Sequence, residues 1–215
     1  SNRGRLSITT PGVMYGHNAA ASVYTVAATP AANAYTGIAG SPAGPYPKPF
    51  NSGNTVEIFS SDGPRRMFFN PDGSEITPGN ISFSTNGGIL LQKPDITAAD
   101  GISTATPGFQ PFFGTSAAAP NAAAIAALIK SKIPSATPAQ IRTWLTSSAI
   151  DIEAPGVDRD AGAGIIMAYE ALVAAGATAI AIIPSTPVTI SAENAVPPNN
   201  APDPGETLTV NLPVI

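Results

Sequence analysis

The sequence predicts an α/β layered domain with a mostly parallel sheet, followed by the start of a β-rich appendage, and three observations carry that prediction. Strand-like runs near Val23, Val56 and Ile96 alternate with loops. Helical patterns then open after Gly114-Thr115-Ser116 and again at Thr137-Pro138, and their apolar faces need a sheet to cover. Beyond Pro184 the texture changes to two short alternating runs around a Pro- and Asn-rich turn. The expected division is residues 1–176 for the α/β domain and 177–215 for a strand extension or the start of a β-sandwich.

Composition narrows the function classes. At 215 residues the chain can bury a real core, and 43% apolar against 11% charged residues argues against disorder despite 23 Pro and 20 Gly. A net charge of −4 with no block of Lys and Arg leaves no electrostatic footprint for nucleic acid. Zero cysteines exclude disulfides and thiolate metal sites and leave the redox compartment open. Ser1 to Leu6 are polar and basic, so no signal peptide is expected there. The weakly polar run from Ala161 to Ile183 is interrupted by Glu170 and by glycines. It reads as a buried helix followed by a strand, and no membrane span is expected.

Taken in order, Val23 to Ala28 is a short apolar run, read as a buried strand after the small-residue segment Gly16 to Ala21. Pro30 to Asn54 is loop by its Pro, Gly, Ala and Asn content. Thr55-Val56-Glu57-Ile58-Phe59 alternates as a half-buried strand and ends in the turn Ser60 to Pro64. Arg65 to Gly88, with turn signals at Pro71-Asp72-Gly73 and Asn86-Gly87, reads as a hairpin-like insertion. Ile89 to Ile96 leads back into the core, and the loop from Gly101 to Phe113 delivers the chain to Ser116.

Ser116 is the candidate catalytic residue. Small neighbours let the backbone bring its hydroxyl to a helix N-terminus with little bulk around it. The first N–H groups of such a helix lack intrahelical partners and can donate to an oxyanion. Pro120 fits the edge of the first turn, while Ile125, Leu128 and Ile129 form the face expected to bury on the sheet. On helix physics alone Ser116 serves equally as a plain N-cap. Downstream, Thr137-Pro138-Ala139-Gln140 supplies a capping box for a helix to about Ala149, striped by Ile141, Trp144 and Leu145. A further helix from about Met167 to Ala175 stops at Gly176.

The run Phe113-Gly114-Thr115-Ser116-Ala117-Ala118-Ala119-Pro120 resembles the serine-nucleophile motif of the subtilisin-like serine proteases, the subtilases. Three further stretches resemble that family in its order: Gly16-His17-Asn18-Ala19 before a strand, Phe59-Ser60-Ser61-Asp62-Gly63-Pro64, and Lys93-Pro94-Asp95-Ile96. Two departures are Asn121, where the family commonly has His, and Ala99, where Pro is more usual. The resemblance covers about residues 16–176 and is similar to the second half of a subtilase domain. It implies a serine endopeptidase acting through an acyl-enzyme on Ser116, secreted, with a peptide or protein substrate. The family's Asp and His, and its oxyanion Asn, are then expected upstream, in a missing half that is the main partner.

His17, the single histidine, does not stand in the family's His-Gly-Thr context and is read as a hydrogen-bonded structural residue. This portion alone is therefore expected to be inactive, and to self-associate through an exposed sheet edge. No cofactor is expected. Asp158-Arg159-Asp160-Ala161-Gly162 resembles a calcium loop, but too few ligands follow, and a solvated turn is the expectation. The alternatives are a non-catalytic structural or binding module derived from a protease, and an unrelated α/β domain holding an anion at the Gly-Thr-Ser helix start.

Overall fold

The computed structural model describes residues 12–36, 48–82, 86–178, 189–193 and 207–211. The chain divides into two compact units, Ser1–Ala177 and Thr178–Ile215. In the first, β1 (Val26–Pro30) and β4 (Ile96–Asp100) pair in parallel from Val26↔Ile96 to Pro30↔Asp100. Between them β2 (Arg65–Met67) and β3 (Ile89–Leu91) form a short antiparallel pair. Three helices follow: α1 (Thr115–Lys132), α2 (Pro138–Ser147) and α3 (Ala168–Ala174). The described strands of the second unit are β5 (Thr189–Glu193) and β6 (Leu208–Asn211), an antiparallel pair with a register shift between Ile190 and Ala192. The strand expected before Pro184 lies outside the described residues.

The core is built mostly from small side chains. Ala28 and Ala98 of the parallel pair pack with Ala118, Ala122 and Ile129 of α1, and Ile141 and Leu145 of α2 and Ala171 of α3 join the same cluster. Because the helix meets the sheet through alanines, it lies with Ile129 inward, and Leu128 is left 50% exposed. The expectation that Leu128 joins the buried face is thereby corrected. A second cluster of Ile152, Ala161 and Ile165 packs with Phe50, Val56 and Met167. Thr97 bridges in parallel to Ile165, so the 161–166 segment flanks β4.

A buried ionic knot joins these layers. Lys93 is 2% exposed, and its Nζ donates to the Val23 carbonyl at 2.6 Å and to Asp95 Oδ2 at 2.8 Å. The same oxygen accepts the Thr25 N–H at 2.7 Å, while Arg142 of α2 pairs with Asp95 Oδ1. Arg142 also lies over the Tyr24 ring, 4.6 Å from its centroid. These demands on Val23, Tyr24 and Thr25 delay the start of β1 to Val26, beyond the expected Val23. The capping box on α2 is formed as expected: Thr137 Oγ1 accepts the Gln140 N–H at 3.3 Å, and Gln140 Oε1 accepts the Thr137 N–H at 2.9 Å. Gly176, with φ 83°, stops α3.

The expected strand at Thr55–Phe59 is not formed. Glu57 is 2% exposed and Ile58 is 80% exposed, the reverse of a half-buried strand with its apolar residues inward. Glu57 is turned inward because its carboxylate accepts the Tyr35 N–H, at 2.9 and 3.1 Å from its two oxygens. One backbone bond, from Glu57 N–H to the Ala28 carbonyl at 2.8 Å, attaches this segment to β1.

Candidate functional site

Ser116 stands in the first turn of α1, with its side chain exposed. The N-cap is Gly114, whose φ of 139° is open to glycine far more readily than to other residues. A Cβ there would stand 3.6 Å from the Ser116 nitrogen, so backbone conformation rather than space demands the glycine. The Gly114 carbonyl accepts from Ala117 N–H at 2.8 Å and Ala118 N–H at 3.2 Å. Both alanines are fully buried, which anchors the helix start against the sheet. The Ser116 N–H and Oγ have no hydrogen-bond partner among the described residues. An unengaged N–H and a hydroxyl at the positive end of a helix can together receive developing negative charge.

Pro120 lies deeper than the first-turn edge where it was expected: it is inside the helix, where its missing N–H leaves the Ser116 carbonyl without its i+4 donor. Asn121 ties this region to β4, since its Nδ2 donates to the Ala99 carbonyl at 2.9 Å and the Ala117 carbonyl at 3.1 Å. It is a packing link between helix and strand.

Beneath the helix start, Asp100 closes β4. It is fully buried, and its Oδ2 accepts the Gly114 N–H at 2.8 Å. Burial pushes its carboxyl up to about 6; the Gly114 N–H opposes the rise and the neighbouring Glu57 adds to it. Burial likewise raises Glu57, against the Tyr35 N–H. Sequence reasoning missed both carboxylates. Asp100 ending an apolar strand next to Gly101 was the signal available for one, and Glu57 between Val56 and Ile58 was masked by the strand reading.

Beside Thr115 opens a cleft of about 210 Å³ lined by Met14, Tyr15, Asn18, Thr25, Val26 and Ser61. His17 is not among its lining residues. It sits exposed on the 3-10 turn Gly16–Ala19, and its side chain makes no hydrogen bond among the described residues. The expectation of a hydrogen-bonded structural histidine is therefore corrected: the turn is held by backbone, with the Ala20 N–H donating to the His17 carbonyl at 3.1 Å.

Asp158 spends one oxygen on its own turn, Oδ1 accepting the Asp160 and Ala161 N–H groups at 2.7 and 2.8 Å. Among the described residues, no group of three or more His, Cys, Asp or Glu is placed to hold a metal ion. No helix among them is long and apolar enough to cross a membrane.

The class these features define is an α/β domain that presents a serine at a helix start fed by a buried parallel strand. A family model of the subtilases matches residues 2–164, and the chain belongs to the subtilase family. No curated protein matches it. Among solved structures it is similar to fervidolysin from Fervidobacterium pennivorans, a keratinolytic enzyme related to subtilisin, at 25% identity and a TM-score of 0.38. That match covers 71% of this chain and 19% of the fervidolysin chain, so this chain spans about a fifth of that protein's length.

Proposed function

We propose that this chain is the nucleophile-bearing portion of a serine endopeptidase. Ser116 attacks the peptide carbonyl and forms an acyl-enzyme that water then hydrolyses. The observation that carries this reading is the start of α1: an exposed Ser116 hydroxyl beside its own unengaged N–H, in a chain of the subtilase family. The N–H is one donor for the oxyanion that forms when Oγ attacks. The cleft beside Thr115 receives the side chain preceding the scissile bond, its walls mixing Met14 and Val26 with Ser61 and Asn18.

A serine hydroxyl is a weak nucleophile without a base. His17 is no candidate for that role, being on an exposed turn and not among the residues that line the cleft. The base and its acid come from the upstream half of the peptidase domain, which is the partner of this chain, and the chain alone is inactive. Secretion is part of the same reading and rests on family membership.

The test mixes the 215-residue chain with the upstream half of its parent domain and follows cleavage of a peptide substrate. Cleavage is expected only in the mixture, lost in Ser116→Ala and retained in His17→Ala. Cleavage by the isolated chain that His17→Ala destroys would place the base within these residues and overturn the division of labour.

A further inference from the structure

Resting on the reading of Ser116 as nucleophile, a second feature concerns what holds that residue in place. Asp100 is 0% exposed at the end of β4, and while its Oδ2 accepts the Gly114 N–H at 2.8 Å, its Oδ1 is buried with no hydrogen-bond partner among the described residues. Among the described residues, the charged group that acts on Asp100 is another carboxylate. From the 55–60 segment Glu57, 2% exposed, brings a second carboxylate, engaged by the Tyr35 N–H. From the 31–36 segment Tyr35 lays its ring against Phe113, with centroids 5.3 Å apart, and Phe113 is the residue before Gly114. Lys48 donates to the Ala32 carbonyl at 2.9 Å, to neither carboxylate. From α1 comes the neutral Asn121. Lys93 and Arg142 pair with Asp95, and Arg159 with Asp62.

A buried carboxylate with no counter-ion and an idle oxygen is costly when ionised. The idle Oδ1 is also where a proton from solvent can sit without displacing the Gly114 N–H from Oδ2. We infer that Asp100 is a positioning residue for Ser116: its protonation, biased by Glu57, sets how firmly the N-cap of α1 is held. Ionised, it grips Gly114 through a charge-assisted bond, about twice as strong as a neutral one. Protonated, it keeps the contact but weakens the grip. The change falls near pH 6, where burial places the carboxyl. Ser116 lies two residues after Gly114 in the same helical turn, so a looser cap misplaces both the hydroxyl and the N–H it offers, an effect on turnover more than on substrate affinity.

The experiment has two arms. In the first, the isotopically labelled 215-residue chain is titrated by NMR from about pH 4.5 to about 8, a span wide enough to bracket ordinary and raised carboxyls. The Asp100 carboxyl carbon and the Gly114 amide proton are expected to move together with one midpoint near 6. Asp100→Asn should abolish the Gly114 step, and Glu57→Gln should move the midpoint down. A Gly114 amide that does not titrate, or a step that survives Asp100→Asn, overturns the inference. If Asp100→Asn does not fold, an unmoved midpoint in Glu57→Gln overturns the coupling by itself.

In the second arm, the chain is assembled with the upstream half. Asp100→Asn is expected to lower kcat about tenfold with little change in KM and to flatten the acid limb of the pH profile. An unchanged kcat and profile overturn the positioning role. If the unmodified assembly cleaves nothing, the reading of Ser116 fails, and the Gly114 titration still decides the role of Asp100 as the N-cap anchor.

Discussion

Replacing Asp100 by Asn should change how stability depends on pH, and the size of the change can be worked from the site. The carboxyl is fully buried and pushed from 3.8 up to about 6, chiefly by burial. A raised carboxyl binds its proton more tightly in the folded chain than in the unfolded one. The stability it contributes is fully present below about 3.8 and is lost as pH rises through about 6. The gap between those values, at about 1.4 kcal/mol per pH unit, amounts to roughly 3 kcal/mol. Asn keeps a carbonyl for the Gly114 N–H but cannot titrate. Its unpaired amide group shifts the whole curve without tilting it.

Urea denaturation of both forms at about pH 4 and about pH 7.5, on either side of the transition, isolates Asp100 together with its coupling to Glu57. Carboxylates remote from Asp100, including the Asp95 knot, are common to both chains and cancel in the difference. Unmodified chain minus Asp100→Asn should fall by roughly 2.4 kcal/mol between the two pH values, a little less than the full amount because at about pH 4 the unfolded carboxyl is already more than half ionised. Parallel pH profiles would refute the reasoning, since they would mean Asp100 titrates alike in folded and unfolded chains.

Two further substitutions probe the scaffold. Lys93→Met removes a buried cation from Asp95 and a donor from the Val23 carbonyl, leaving Arg142 and the Thr25 N–H; a loss of roughly 3 kcal/mol is expected in chemical denaturation. Thr137→Ala deletes the side chain that caps α2 and should cost about 1 kcal/mol by the same measurement.

The parts of this fold legible in the sequence are those fixed by neighbours along the chain. The α1 start follows from Gly114-Thr115-Ser116, the α2 start from Thr137, Pro138 and Gln140, and the α3 stop from Gly176, because caps need only residues within one turn. Glu57 shows the limit. Its alternating surroundings predict a strand, but a contact with Tyr35, distant in sequence, turns its charge inward and Ile58 outward. Leu128 shows another: a helix that approaches a sheet through alanines buries a narrower face than its apolar spacing implies. At the site, motif order alone picked out Ser116. The grip of Asp100 on Gly114 joins residues from two elements, and no local pattern announces it.

On the proposed function, Ser116 becomes a nucleophile only when an upstream half supplies its base. The most direct measurement treats the 215-residue chain with a fluorophosphonate probe, alone and assembled with that half, and locates the adduct by mass spectrometry of the peptides. No adduct is expected on the chain alone, a stoichiometric adduct on Ser116 in the assembly, and none in the assembly carrying Ser116→Ala. An assembly that cleaves peptides while its adduct sits on another residue, or persists in Ser116→Ala, would contradict the proposed function.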